Sequence, residues 1–209
     1  MNINKNYKDF FYQGRRATSK EGKSVVVIKE EKIKNFFETL VNDNSIPDLN
    51  KLLIGVCLSG GLRITEALSI KKQDIDIDGD NIYITVTVLK KKLNYDLKRD
   101  IYVYPLLNTL INRFYLKTKP QEFIFKEREG RKVKKVITRQ TALHAIKKYL
   151  GKDFDMHALR HSNVSLLMNE SFTDVEISKV LELSTKMVSN YAHVSARKKM
   201  RDLLQRKAA

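Results

Sequence analysis

The chain has 209 residues, with 40 Lys and Arg against 24 Asp and Glu and a formal net charge of +16. At 42% hydrophobic and 31% charged it has the composition of a folded protein, and its length suits one good-sized domain. A single cysteine excludes a disulfide framework and a cysteine-based metal site, and no apolar run approaches the roughly 18 residues that span a bilayer. The cationic surplus points to a polyanionic partner, nucleic acid ahead of an anionic membrane surface. One cysteine and a polar start at Met1 fit the reducing cytoplasm.

In chain order, residues 1–27 are polar and basic and read as a mobile basic arm, with Phe10, Phe11 and Tyr12 followed by Arg15, Arg16, Lys20 and Lys23. A helical period begins near Lys29, with Ile33, Phe36, Phe37 and Leu40 on one face, and Pro47-Asp48 punctuates it. A more apolar helix runs from Leu49 to about Leu58, where Ser59-Gly60-Gly61 breaks it. A third starts at Arg63 or Ile64 and turns Ala67, Leu68 and Ile70 inward.

The period then changes to alternation. Ile82, Ile84, Val86 and Val88 interleave with Tyr83, Thr85 and Thr87, the pattern of a half-buried strand. Ile101 and Val103, alternating with Tyr102 and Tyr104, supply the other strand of a hairpin, which Pro105 ends. Helix signals return at 106–116, Phe123-Ile124-Phe125 reads as a short strand, and Lys126 to Arg139 reads as a solvated basic loop. Further helices are predicted over about 139–150, 157–169, 173–182, 186–192 and 196–206. The fold class is mainly α with a small antiparallel β-sheet (α+β).

Two patterns suggest metals and fail on their details. Asp74-x-Asp76-x-Asp78-Gly79 opens like a calcium loop, but its twelfth position is Thr85 rather than Glu, so it reads as an acidic turn. His157 and His161 have a zinc spacing, but Ala158 stands where the metalloprotease arrangement needs Glu. No metal and no cofactor is expected.

Three segments carry chemistry together. Arg63 stands at a helix start behind a glycine break, where a planar guanidinium can fork two phosphate oxygens. His157 and Arg160 are three apart, share a helix face and can address one ligand. Tyr191, in Tyr191-Ala192-His193-Val194, carries a phenol able to act as a covalent nucleophile. In this order, Gly60-Gly61-Leu62-Arg63-Ile64-Thr65-Glu66, His157-Ala158-Leu159-Arg160-His161-Ser162 and Tyr191-Ala192-His193-Val194 resemble the tyrosine recombinase (phage integrase) family over about residues 28–195.

The resemblance implies the family's catalytic-domain fold over 28–195, flanked by a basic arm at 1–27 and a tail helix at 196–209 that docks on a neighbouring subunit. It implies a site-specific DNA recombinase that cuts and rejoins strands through a 3′-phosphotyrosine link, without metal or nucleotide. The partner would be double-stranded DNA carrying a recombination site, bound by a homotetramer on two sites, with a monomer when free. Tyr191 would be the nucleophile, Arg63 and Arg160 the phosphate donors, and His157 the residue sharing the phenol proton. The family's general-acid lysine falls among Lys90, Lys91 and Lys92. Lys90 follows the apolar alternation directly and is the first choice, with Lys92 second. Glu66 would orient its neighbours, and His161 would be structural. Arg15, Arg16, Lys91, Lys132, Lys134, Lys135 and Arg139 are the expected backbone contacts to DNA. The alternative is a non-catalytic DNA-binding protein that keeps the scaffold.

Two features depart from the family pattern. A Leu-Gly-His segment usually lies about nine residues before the tyrosine, whereas this chain has Leu181-Glu182-Leu183. Counting back places either Glu182 or Leu183 at the histidine, and neither donates to a phosphate; Lys186 and His193 are the candidate substitutes. The stretch ahead of the first helix is also too short for the family's separate core-binding domain. Either the protein is compact by nature or this is a fragment of a longer one.

Overall fold

The computed structural model describes residues 4–15, 24–88, 97–129, 132–154, 156–170, 172–185 and 188. The stretch expected to be a mobile arm is instead anchored to the core through Tyr7, Phe11, Val26 and Val27. A 3-10 turn over Lys5–Phe10 leads into β1 (Phe11–Arg15), which pairs antiparallel with β2 (Ser24–Ile28), Phe11 opposite Ile28. Tyr7 is fully buried and meets Phe36 edge-on, with ring centroids 5.7 Å apart, and Phe11 meets Phe154 at 4.2 Å. The Tyr7 hydroxyl donates to Asp43 at 3.0 Å, and Asn4 donates to the backbone at Tyr149 and Leu150. The charge count misled here because Tyr7 and Phe11 each bury enough apolar area to hold the segment down.

The expected helices follow, with small shifts at their ends. α1 (Ile33–Asn42) turns Phe36, Phe37 and Leu40 inward. α2 (Asp48–Gly60) is buried almost all round, Cys57 included, as its continuous apolar sequence requires. Short α3 (Ile64–Leu68) leads by a 3-10 turn (Lys72–Asp74) into a sheet of β3 (Ile75–Asp78), β4 (Asn81–Val88) and β5 (Leu97–Tyr102), antiparallel in that order. The acidic stretch that looked like a turn is thus mostly strand β3, closed by Gly79 at φ 57°. Asp74 accepts from the Lys71 backbone N–H at 2.8 Å.

A 3-10 turn at Pro105–Leu107 begins α4 (Asn108–Leu116). Phe123 makes only an isolated bridge to Lys71, so the expected strand at 123–125 is not formed. Its apolar residues are core plugs: Phe125 is fully buried and Ile124 nearly so. The expected basic loop is a hairpin instead, β6 (Lys126–Glu129) with β7 (Lys132–Val136). Its register sets Glu127 opposite Lys135 and Glu129 opposite Lys132, an order of residues that a count of lysines hides. Helices α5 (Arg139–Leu150), α6 (Met156–Asn169) and α7 (Asp174–Leu181) complete the described fold. The helices expected at 186–192 and 196–206 lie almost wholly outside the described residues.

α6 runs along α2 and against β2, where Ser162 Oγ accepts from the Ile28 N–H and donates to the Ala158 carbonyl. Val164, Met168, Ile177, Leu181, Leu183 and Val188 form a second, smaller apolar cluster where α6 meets α7. Among the described residues, no helix is long and apolar enough to cross a membrane.

Candidate active site

The site is built on the end of α2. Gly61 takes the left-handed conformation (φ 56°, ψ 37°) that ends the helix, and a Cβ there would meet Asn163 Oδ1 at 2.6 Å. Leu62 is fully buried, and its N–H donates to the Cys57 carbonyl. That anchor turns the chain so that Arg63 starts α3 with its side chain partly exposed. Asn163 of α6 fixes the turn from below, donating to the carbonyls of Leu58 and Ser59 at 2.9 Å each.

Glu66 lies one turn on and is only 1% exposed. One of its carboxylate oxygens accepts from the Arg63 backbone N–H at 2.8 Å, and the other from Arg63 Nη1 at 2.6 Å. Arg160 on α6 brings Nη1 to 3.7 Å of the same carboxylate and donates through Nη2 to the Leu181 carbonyl at 3.3 Å. A buried carboxylate thus holds two guanidiniums, one partly exposed and one buried, in a fixed relation. Salt links and a helix end set both side chains before any ligand arrives.

A cleft of about 420 Å³ opens over them. Arg63, His157 and Arg160 line it together with Arg139 and Lys147 of α5 and the apolar Leu62 and Met156. No carboxylate is among its described lining residues, since Glu66 sits beneath the arginines. A cleft of this composition takes an anion, and two planar guanidiniums suit the oxygens of a phosphate.

Arg63, His157, Arg160 and Arg139 are therefore brought to one cleft, and Glu66 lies under it. His157 is exposed and His161 half-buried, and only the former lines the cleft. Lys132, Lys134 and Lys135 lie on β7, and Arg15 ends β1. Arg16, Lys90, Lys91, Lys92, Lys186, Tyr191 and His193 lie outside the described residues.

The backbone bears on the Leu181-Glu182-Leu183 stretch. Glu182 has φ 50° and ψ 46°, the one left-handed non-glycine among the described residues. That is the conformation glycine favours behind a helix end, which fits Glu182 to the glycine of that pattern and Leu183 to the residue after it. Leu183 is 5% exposed and packs in the small apolar cluster, so no donor is presented from that position.

Two residues of this neighbourhood were missed in the sequence. Lys147 shares a face of α5 with Arg139 and Leu143 at i, i+4 and i+8, a spacing visible in the sequence. Arg99 sits on the inward phase of β5, between Leu97 and Ile101, where a charge is out of place and asks for a reason.

The sequence pattern of the Phage integrase family matches residues 26–198. Transposase A from transposon Tn554 of Staphylococcus aureus is 23% identical over 207 residues, covering 91% of this chain and 57% of that protein. Tyrosine recombinase XerH of Campylobacter jejuni is 32% identical over 101 residues, covering 42% of this chain and 28% of that protein. The chain spans little more than half the length of the transposase it matches. In fold it is similar to the XerH site-specific recombinase bound to palindromic difH substrate in a post-cleavage complex. That match has a TM-score of 0.66 and 18% identity, over 85% of this chain and 52% of that one. It is also similar to the XerA recombinase, with a TM-score of 0.63 and 18% identity over 84% of this chain and 64% of that one.

Proposed function

The chain belongs to the phage integrase family, and from that membership we propose that it is a site-specific DNA recombinase working through a 3′-phosphotyrosine intermediate. The observation that carries this reading is the pair of guanidiniums, Arg63 and Arg160, fixed by Glu66 under an anion cleft that His157 shares. Negative charge gathers on the non-bridging oxygens of a phosphodiester in its transition state. Preset cationic donors stabilise that state more than the ground state.

In the proposed reaction the Tyr191 oxygen attacks the scissile phosphorus and the P–O5′ bond breaks. The phenol proton passes to His157, and Lys90 gives a proton to the departing 5′-oxygen. A 5′-hydroxyl from the partner strand then attacks the phosphotyrosine, freeing Tyr191 and restoring a phosphodiester. The number of phosphoester bonds is unchanged, so no high-energy co-substrate enters. Residues 28–195 form the catalytic domain, and four copies act on two sites in duplex DNA. Arg139 and Lys147 hold the flanking phosphates, with the β6–β7 hairpin and Arg15 as further cationic contacts. The protein acts in the cytoplasm.

The second reading is a DNA-binding protein that keeps the scaffold without the chemistry. Leu183 favours it, since an apolar residue stands where the family presents a third donor. One experiment separates the two. A duplex carrying the sequence that flanks the gene, nicked near the cleavage point, is mixed with wild type and with Tyr191→Phe and run on a denaturing gel. A covalent adduct on wild type alone supports the recombinase. Specific binding without an adduct leaves the scaffold reading.

A further inference from the structure

Arg99 is a charged residue on the buried phase of a strand. It is 8% exposed and flanked on its own face by Leu97 and by Ile101, itself 4% exposed. An enclosed guanidinium is costly unless its donors are used. Two of them are: Nη2 donates to the Gly60 carbonyl at 2.9 Å and Nη1 to the Val180 carbonyl at 3.3 Å. Its Nε is buried with no hydrogen-bond partner among the described residues.

Gly60 is the last residue of α2 and Val180 the last but one of α7. At the end of α2, the carbonyls of Cys57, Leu58 and Ser59 are taken by the Leu62 N–H and by Asn163, which leaves Gly60 for Arg99. At the end of α7, the carbonyls of Ser178 and Lys179 accept from Leu183 and Glu182, Leu181 accepts from Arg160, and Val180 accepts from Arg99. Helix C-termini carry partial negative charge and open carbonyls, so one guanidinium between two of them satisfies both.

We infer that Arg99 is a positioning residue of the site: it clamps the C-terminal ends of α2 and α7 together, holding the turn that presents Arg63 in register with the segment leading to Tyr191. The clamp's catalytic consequence rests on the recombinase reading above; the clamp itself does not. Charge supports the assignment as well. Burial draws the Arg99 pKa down, Glu66 opposes that, Arg63 adds to it and Glu182 opposes it, which places Arg99 within the electrostatic reach of the whole cluster. Glu182 and the end of α7 bring negative charge to this edge of the site, and Arg99 offsets it beside a phosphate that such charge repels. With Leu183 offering no donor, the α7 end contributes by where it stands rather than by what it donates.

The test uses Arg99→Met, which keeps the stem and removes the donors, and Arg99→Lys, which keeps the charge without the two-armed fork. Glu66 retains Arg63 and Arg160 in both, so both fold. In the free proteins, amide hydrogen exchange at Gly61–Leu62 and at Glu182–Leu183 accelerates together by tenfold or more, while α5 is unchanged. Single-turnover cleavage of the nicked duplex at saturating DNA falls roughly ten- to a hundredfold, as displacements of about 1 Å do, and the half-saturating DNA concentration moves less than threefold. Unchanged exchange at either segment overturns the clamp, as does loss of the fold in both variants, which makes Arg99 a residue of general stability. Faster exchange with cleavage intact overturns its bearing on the chemistry. If wild type itself forms no adduct, the recombinase reading fails, and the exchange measurement still decides the clamp.

Discussion

Glu66 accepts from Arg63 twice, through one oxygen from the backbone N–H at 2.8 Å and through the other from Nη1 at 2.6 Å, so the residue that caps α3 is held at its backbone and at its guanidinium. Arg160 stands 3.7 Å from the same carboxylate. Removing one member of a buried ionic cluster leaves the others uncompensated, which typically costs about 3–5 kcal/mol. Arg63 is partly exposed and can regain water, so Glu66→Gln is expected at about 3 kcal/mol by urea unfolding. Its DNA affinity should not fall, since a negative charge is lost, while cleavage slows. A variant within about 1 kcal/mol of wild type would contradict the role given to this carboxylate.

Arg160 is enclosed and forked, so lysine is a poor substitute there despite its charge. Arg160→Lys should bind DNA within a few-fold of wild type and lose roughly a hundred- to a thousandfold in single-turnover cleavage, the range for removing one preset donor. A loss under fivefold would argue that Arg160 holds the Leu181 carbonyl and nothing more.

The N-terminal turn offers a stability test. Tyr7→Phe keeps the ring against Phe36 and loses the 3.0 Å bond to Asp43, at about 0.5–1.5 kcal/mol, whereas Tyr7→Ala also empties the site, at about 3–5 kcal/mol. Burial tends to raise the Asp43 pKa, but hydrogen bonds from Ser45 and Tyr7 and the charge of Lys51 outweigh it and hold the carboxyl below its usual value. A depressed folded pKa means that the contribution is complete above the unfolded value, near 4, and is lost as pH falls through the folded one. Asp43 is largely solvated, so the effect is small. Asp43→Asn should show a shallower loss of melting temperature below about pH 4 than wild type does, and parallel acid limbs would refute the assignment.

Much of this was legible in the sequence because local patterns dictated it. Gly61 must end α2, since only a left-handed residue without a side chain fits beside Asn163, and Arg63 follows from that turn. His157 and Arg160 share a face wherever a helix forms. Tyr7 and Phe11 were misjudged because their partners, Phe36 and Phe154, are distant in sequence and no local period announces them. The β6–β7 hairpin was hidden by composition, because opposed Glu and Lys look like loop until the register is known. Arg99 was missed because its acceptors are backbone carbonyls, which every sequence possesses and none advertises.

Arg139 and Lys147, which line the cleft from α5, predict a salt effect. Each phosphate neutralised contributes about 0.9 to the slope of log affinity against log salt. Arg139→Gln and Lys147→Gln should each lower that slope by about one, and together by about two, with the sequence preference of binding unchanged. Fluorescence anisotropy on duplex DNA between low and moderate salt reads this directly. An unaltered slope in the double variant would move the DNA path off these two residues.

The last prediction concerns Glu182 and Leu183. A side chain at φ 50° crowds its own carbonyl, at a cost of about 1–2 kcal/mol that glycine avoids, less the extra freedom glycine gains when unfolded. Glu182→Gly should therefore raise stability by about 0.5–1 kcal/mol and also remove a negative charge from the edge of the site. Adding Leu183→His then presents an imidazole from a position now filled by packing against Val164, Met168 and Ile177. Its expected signature is opposed in the two readouts: a lower melting temperature than Glu182→Gly alone, because a polar ring enters an apolar cluster, and cleavage faster by about tenfold, because a donor now faces the phosphate. If the double variant lost stability without gaining rate, Leu183 would not stand at the donor position, and the register drawn from the left-handed Glu182 would have to be redrawn.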